Sequence, residues 1–336
     1  MNRIQEFLKY YEKQEYENLN IDNKFFYALL GLYPESERIK MLNNKESLLN
    51  GYKSFNRLDR VSSNQEPSLN SILQDINKKI MSVLKENDIR LEKKVALTSL
   101  TRGEIRIAQR VMTEDENVIC MYSTTSEFLY FMSVVISSFF RKDEVDLEMI
   151  NCRWEESYNL NQQGRKLFTE IMNAIQSDKW TTKYQWYQVS YIKEYSYLLY
   201  HPAEMFGIAH EYAHIIYKHL EGDNVSAAKN ISNELQADKL AFEITMAYFC
   251  NKEQLPIAYM GIDFLFCCLQ IYQNVRRLRT AKNYPLLMQR RLELCRYMET
   301  RLQKDAESIK SLNKTNEKLI QMLYEDTFKS PLLLDI

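Results

Sequence analysis

Glycine, proline and histidine are all scarce in this chain of 336 residues, which contains seven, six and four of them respectively. So few turn-forming residues argue against an all-β fold, because such a fold has many turns that need glycine or proline. The sequence therefore predicts a fold built mainly from long helices. Apolar residues make up 45% of the chain, which is enough for a core of normal size.

Neither a disulfide framework nor a nucleic-acid partner is indicated. With 44 basic and 45 acidic side chains the net charge is −1, and the densest basic stretch, RRLRTAK, is predicted to be a solvated helix end. The cysteines show no CxxC pair and no regular spacing, which fits a reducing compartment. There are six of them: Cys120, Cys152, Cys250, Cys267, Cys268 and Cys295.

The chain also lacks an apolar run of the kind that spans a bilayer. FLYFMSVVISSFF, from Phe128, is shorter than the roughly 20 residues that a span needs. IAYMGIDFLFCCLQIY, from Ile257, carries Asp263 in its middle. Both are predicted to be buried core helices. The opening stretch MNRIQEFLKYYEKQEYENLN has no signal-peptide pattern, so we expect a cytoplasmic protein with no membrane partner.

Helical spacing of apolar residues recurs in RIQEFLKYY, NKFFYALLGLY, SLNSILQDINKKIMSVL and GRKLFTEIMNAI. The segments VALTSL, EIRIAQRVM and NVICMYS instead predict three short strands of a β-meander. The predicted fold class is therefore α+β, predominantly helical. SSNQEPS, around Pro67, is the predicted joint between an N-terminal helical region, 1–67, and a domain at 68–336, with one compact unit as the alternative.

Three of the four histidines fall within HEYAHIIYKHLEGD, which starts at His210. Pro202 suits a first helical turn and Gly222 suits the position just past a helix end, so a helix is predicted from about Pro202 to Leu220. On this helix His210 and His214 lie one turn apart, offset by only about 40°. The two imidazoles could therefore bind one metal ion.

Glu211 lies beside these histidines and could serve as a base toward a water molecule that the metal activates. A third ligand is expected in NELQADKLAFEI, where Glu234 and Asp238 are four residues apart. If a loop occupies about 221–227, His214 and Glu234 each lie about 9 Å from it along antiparallel helices and come level. Asp238 could accept the second ring N–H of a ligating histidine. The alternative for Glu234 and Asp238 is an exposed acidic pair.

The other two histidines are predicted to lie outside the site. His219 would point about 140° away from His214 on a straight helix, and it is expected to be a C-terminal residue favoured by the helix dipole. His201 is expected to flank the N-terminus of the helix, with a role in stabilising the transition state as the alternative.

HEYAHIIYKHL followed by NELQADKLAFEI resembles the gluzincin metallopeptidases, most closely the soluble Lit-like phage-exclusion peptidases and the ImmA/IrrE-like peptidases. The resemblance implies a zincin-like core with an active-site helix pair and one zinc ion per chain. It also implies zinc ligands at His210, His214 and Glu234, a general base at Glu211 and an orienting aspartate at Asp238.

Two further segments are similar to parts of such peptidases. NVICMYSTTSEFLYFM resembles the strand and helix that precede the active-site helix, where the strand can pair with an extended substrate. NYPLLMQRRLEL resembles a histidine-proline segment followed by arginine, but Tyr284 replaces the histidine. The similarity covers about Val95 to Leu294, with an insertion at about 141–200.

The sequence thus predicts a zinc-dependent endopeptidase that acts on a specific protein or peptide substrate, in regulation or phage defence. Residues 1–67 and the insertion are predicted to restrict access to its cleft. The alternative is a non-catalytic helical interaction protein with a structural zinc site. Structural zinc sites usually have four Cys or His ligands, whereas this chain offers three ligands with an acid beside them.

Overall fold

The computed structural model describes residues 67–332, apart from 101–104, 106–107, 113–115, 140–161, 178–189, 220–225, 250–254 and 279–284. The elements of the described residues follow in this order: α1 Pro67–Glu86, β1 Lys94–Leu100, β2 Gln109–Met112, β3 Glu116–Tyr122, α2 Ser123–Ser137, α3 Gln162–Gln176, α4 Ser190–Ile216, α5 Ala227–Tyr248, α6 Leu255–Arg276, α7 Leu287–Leu302, a 3₁₀ turn Gln303–Asp305 and α8 Ala306–Phe328. The predominantly helical α+β class is confirmed.

Helices form where apolar residues recur three or four positions apart. Helix α1 contains SLNSILQDINKKIMSVL and buries Leu73, Ile76, Ile80 and Val83 along one face. Helix α3 contains GRKLFTEIMNAI, so both predictions are confirmed. The other two predicted helical segments, RIQEFLKYY and NKFFYALLGLY, lie outside the described residues.

The two long apolar runs form core helices, as predicted. The first lies mainly in α2, where nearly every side chain is buried, and the second lies in α6. Among the helices of the described residues, none combines the length and the apolar character needed to cross a membrane.

The three predicted strands are present, but they do not form a meander. The strand order is β1-β3-β2, with β3 parallel to β1 and antiparallel to β2. The side chains of β3 from Asn117 to Tyr122 are all buried, so both faces of this strand are covered. A strand buried on both faces belongs in the centre of a sheet. The prediction of a meander placed β3 at the edge of the sheet, and it did not take into account the continuous apolar run NVICMY.

Helix α4 begins at Ser190, twelve residues before the proline that was predicted to start it. Pro202 lies inside the helix, where it removes one backbone hydrogen bond. Helix α6 packs closely at this point, because a Cβ on Gly261 would lie 2.6 Å from the Leu199 carbonyl and 2.9 Å from Pro202 Cβ. Tertiary packing therefore continues the helix through a residue that usually marks a helix end.

Helix α4 is central in the fold and packs against α2, α5 and α6. Apolar residues from Leu73 in α1 to Leu332 after α8 join in one hydrophobic core. Helix α3, from the region predicted to be an insertion, contributes Phe168 and Ile171 to this core. The division into domains stays a prediction because residues 1–66 lie outside the described part of the chain.

Candidate metal centre

The three side chains selected from the sequence as metal ligands meet between α4 and α5. His210, His214 and Glu234 are buried, and one ligand atom from each lies within 4.8 Å of those of the other two. The Nε2 atoms of the two histidines are 3.0 Å apart. Each Nε2 also lies 3.4 Å from an oxygen of the Glu234 carboxylate. This group could hold one metal ion.

The ends of the two helices determine which side chains lie opposite one another. Helix α4 ends at Ile216, earlier than the predicted Leu220. Helix α5 begins at Ala227, after Ser226, whose side chain accepts a hydrogen bond from the Lys229 N–H. His214 contacts Glu234, and His210, one turn earlier on α4, contacts both Glu234 and Asp238, one turn later on α5, so the two helices run antiparallel here. The predicted level placement of the ligands is therefore observed, although the connection is longer than expected.

A Schellman motif ends α4 and brings a further histidine to the site. Lys218 adopts a left-handed φ of 56°, its N–H bonds to the Ile215 carbonyl, and the His219 N–H bonds to the His214 carbonyl. This turn folds the His219 ring back, so that its Nδ1 lies 2.9 Å from Nδ1 of His214. The prediction that His219 points away was wrong because it assumed a straight helix continuing past this residue.

Two buried side chains support the ligands from α5 and α7. Asp238 Oδ1 lies 3.0 Å from His210 Nδ1, the contact expected from the sequence. Arg290 donates to both oxygens of Asp238, at 2.8 and 2.6 Å, and its Nη1 lies 3.2 Å from Glu234 Oε2. The sequence showed arginine in NYPLLMQRRLEL, the segment similar to one in related peptidases, but Arg290 was not assigned to the site, because the local pattern of α7 does not show which helix it contacts. Tyr284, the residue noted in that segment, lies outside the described residues.

The charges around the site favour a cation between the ligands. Burial opposes the charged form of His210, but hydrogen bonds with Asp238 and Glu234 raise its pKa to about 9. Burial raises the pKa of Glu234, yet the bonds from His210 and His214 outweigh this and lower it below its ordinary range. Burial and the charge of His210 lower the pKa of His214. Two carboxylates thus stabilise positive charge at the place where the histidine nitrogens converge.

Glu211, the predicted base, follows His210 on α4 and is half-buried, whereas the three possible ligands are buried. Burial lowers the pKa of Arg290, but the charges of Asp238, Glu234 and Glu211 raise it above its ordinary value. The Glu211 carboxylate therefore lies within electrostatic range of this centre. Its role as a base stays a prediction.

His201 lies inside α4 and not at its N-terminus, because the helix begins at Ser190. It precedes His210 by about 13.5 Å along the helix axis, at 1.5 Å per residue. The His201 ring stacks on Tyr197, its Nε2 is 3.1 Å from Lys79 Nζ, and burial together with the Lys79 charge lowers its pKa to about 4. His201 is therefore too distant to contact a group held between the ligands.

A buried group of two histidines and a glutamate, on two antiparallel helices, is an arrangement suited to a hydrolase that uses a metal ion. The chain belongs to the Peptidase U49 family, whose model matches residues 128–310, more than half of the 336 residues. The matched range includes the two histidines, Glu234, Asp238 and Arg290. Membership of this family identifies the protein as a peptidase. No curated protein and no solved structure matches the chain.

Proposed function

We propose that the protein is a zinc-dependent endopeptidase with His210, His214 and Glu234 as the metal ligands. The observation that carries the proposal is the spacing of the three buried side chains. Ligand atoms at zinc distances of about 2.0–2.1 Å in a tetrahedron are about 3.3–3.4 Å apart. The two Nε2 atoms are 3.0 Å apart, and each lies 3.4 Å from one of the two Glu234 oxygens, Oε2 for His210 and Oε1 for His214, which is close to this value.

The donor atoms also favour zinc chemically. Two imidazole nitrogens and one carboxylate are the ligand set of several catalytic zinc sites, which keep a fourth position for water or substrate. Arg290 supports the same arrangement, because its contact with Glu234 Oε2 restrains that oxygen and leaves Oε1 better placed for a metal. Asp238 would accept the Nδ1 proton of His210 and so direct the lone pair of Nε2 toward the metal.

In the proposed mechanism, bound zinc would supply a Lewis acid that acidifies a water molecule toward a pKa of about 7. Glu211 would accept the proton of the attacking water and would then donate it to the leaving amine of the cleaved peptide. The half-buried position of Glu211 suits this role, because its carboxylate must reach the substrate as well as the metal centre.

A structural zinc site in a non-catalytic helical protein is the alternative function. Structural sites usually close the coordination sphere with four Cys or His ligands. Among the described residues the group has three members, and one of them is a carboxylate. Both features favour the catalytic site, as does membership of a peptidase family.

We further propose that the substrate is a specific protein and that the role lies in regulation or phage defence. The support is the similarity of HEYAHIIYKHL and NELQADKLAFEI to the Lit-like peptidases. Rapid and unselective cleavage of casein by the full chain would contradict a narrow substrate range, provided that the Glu211→Gln variant is inactive in the same assay.

The decisive experiment combines zinc content with cleavage. Glu211→Gln keeps the size of the side chain but removes the base, so we expect the variant to bind zinc as the wild type does while cleavage falls about 10²-fold or more. Wild type and variant are incubated with a cell lysate, and new protein N-termini are identified by mass spectrometry. Glu293→Gln, which alters a carboxylate paired with Arg296 on the surface, is the matched control.

Equal cleavage by wild type and Glu211→Gln would exclude the proposed base. A wild-type chain that contains no zinc and takes none up on titration would exclude the metal site.

A further inference from the structure

We propose that His219 is a positioning residue that orients His214 for metal binding, through the 2.9 Å contact between the two Nδ1 atoms. The inference rests on the proposed function, because it takes His214 as a metal ligand. It gives the second ligating histidine an orienting partner, as Asp238 is for the first. The motifs HEYAHIIYKHL and NELQADKLAFEI do not predict this partner, because the ring of His219 reaches the site only through the turn that ends α4.

The hydrogen-bond chain has only one direction that is compatible with metal binding. Nε2 of His214 faces the other ligand atoms, 3.0 Å from His210 Nε2, so it must present a lone pair to the metal. The ring proton of His214 is then on Nδ1 and must be donated to Nδ1 of His219. His219 consequently carries its own proton on Nε2, which lies 3.1 Å from the acceptor Oε1 of Gln236.

The fold holds His219 in place from two sides. Its ring stacks on Tyr217, with the ring centroids 5.3 Å apart. Its bond to Gln236 joins the end of α4 to α5, the helix that also carries Glu234. The left-handed turn at Lys218 fixes the backbone of the intervening residue. The position of the acceptor is therefore defined by backbone and side chains together.

The two orienting partners should differ in strength. Asp238 is a carboxylate that Arg290 holds through two hydrogen bonds, so it adds negative charge beside the metal centre. His219 is a neutral acceptor that is only half-buried. Loss of an orienting partner typically weakens metal binding about 10- to 100-fold, and we expect loss of His219 to fall at the lower end, about tenfold.

The test measures the zinc affinity of the full chain by competition with a chelator, in a Glu211→Gln background so that the protein cannot digest itself. His219→Phe retains a ring for the stack on Tyr217 but has no acceptor, and we expect its zinc Kd to rise about tenfold. His219→Gln restores an acceptor oxygen and should recover most of the affinity. Tyr217→Leu removes the stack but leaves the acceptor, which Gln236 and the turn at Lys218 still hold, so it should change the zinc Kd by less than about twofold.

Wild-type affinity in His219→Phe would overturn the positioning role. Melting temperatures of the metal-free proteins identify any variant that has lost its fold, and if His219→Phe is such a variant, the positions of the ring protons in the chain that retains His219 decide the question. Failure of the wild type itself to bind zinc would instead reject the proposed function, so the two failures are distinguishable.

A second measurement reports on the proton positions, which a purely structural role would not determine. The chain has only four histidines, so a long-range ¹H–¹⁵N spectrum of the zinc-bound protein should be simple to assign. We expect His214 protonated at Nδ1 and His219 protonated at Nε2. Protonation of His219 at Nδ1 would contradict the proposed direction of the chain.

Discussion

Arg290 and Arg291 are neighbours on α7, and both are buried in contact with acidic side chains. Arg290 donates to both oxygens of Asp238 at 2.8 and 2.6 Å, and Arg291 donates to both oxygens of Asp263 at 2.7 and 2.9 Å. Successive helical residues point about 100° apart, so the two arginines reach different helices. Each arginine also contacts a second acidic side chain.

The second acids distinguish the two clusters. Arg290 lies 3.2 Å from Glu234, and Arg291 lies 2.9 Å from Glu317. Beside Glu234 the helix α4 adds two imidazole nitrogens, whereas the cluster of Arg291 is not among the groups of described residues that could hold a metal ion. A buried arginine with two carboxylates is therefore not sufficient for a possible metal site. The difference lies in the imidazole nitrogens that converge on one of the carboxylates.

The largest difference in zinc content between the two clusters is expected when the second acidic residue of each is replaced. Glu234→Ala removes a proposed ligand, and we expect the zinc content of the purified protein to fall from one ion per chain to nearly none. Glu317→Ala removes the corresponding acid of the other cluster and should leave the zinc content unchanged. Metal analysis by mass spectrometry of protein purified without chelators measures both. Full zinc content in Glu234→Ala would remove this residue from the ligand set.

The proximity of the three proposed ligands was predictable because it depends on local geometry. His210 and His214 are related by one helical turn, and Glu234 follows in the next helix of an antiparallel pair, so residue spacing alone brings them close. Arg290 was not predictable in the same way, because 52 residues separate it from Asp238 and only the packing of α7 on α5 brings them together. Residue spacing carries no information on such a contact.

The helix ends and the strand order also could not be predicted from the local sequence pattern. Helix α4 passes through Pro202, which Gly261 accommodates on α6, and it ends at a left-handed lysine where glycine is the usual residue. His219 was assigned away from the site for this reason alone. In the sheet, the sequence segments located three strands, but the position of β3 between the other two depends on burial of both its faces.

Replacement of the aspartates should test the comparison with a matched pair. Asp238→Ala and Asp263→Ala each leave a buried arginine with one carboxylate fewer, and breaking a buried ion pair typically costs about 3–5 kcal/mol of unfolding free energy. We expect both variants to lose stability by similar amounts in urea denaturation of the metal-free protein. Only Asp238→Ala should also weaken zinc binding, about 10- to 100-fold, and less than Glu234→Ala does. Equal zinc affinity in the two variants would show that Asp238 has no role in orienting His210.

Glu204 extends the comparison to a buried carboxylate for which the structure describes hydroxyl contacts and no arginine contact. It lies on α4, fully buried, with Oε1 2.5 Å from Ser126 Oγ, which in turn lies 2.5 Å from the Tyr200 hydroxyl. Its Oε2 atom has no hydrogen-bond partner within the described part of the chain. Burial raises the pKa of Glu204 to about 7, although the bonds from Ser126 and Tyr200 lower it. Burial therefore makes ionisation of this carboxyl unfavourable in the folded state.

The raised pKa of Glu204 predicts a pH dependence of the stability of the fold. Between the ordinary carboxyl pKa of 4.5 and the folded pKa of about 7, the folded protein retains a proton that the unfolded chain releases. The contribution of Glu204 to the unfolding free energy is therefore fully present below about pH 4.5, declines as the pH rises, and is lost above about pH 7, a change on the order of 3 kcal/mol. Glu204→Gln cannot ionise, so the difference in unfolding free energy between variant and wild type should grow in favour of the variant from pH 5 to pH 8. Urea denaturation of the two proteins across this range, both stripped of metal, measures the difference, and a constant offset would mean that Glu204 ionises in the folded protein as readily as it does in the unfolded chain.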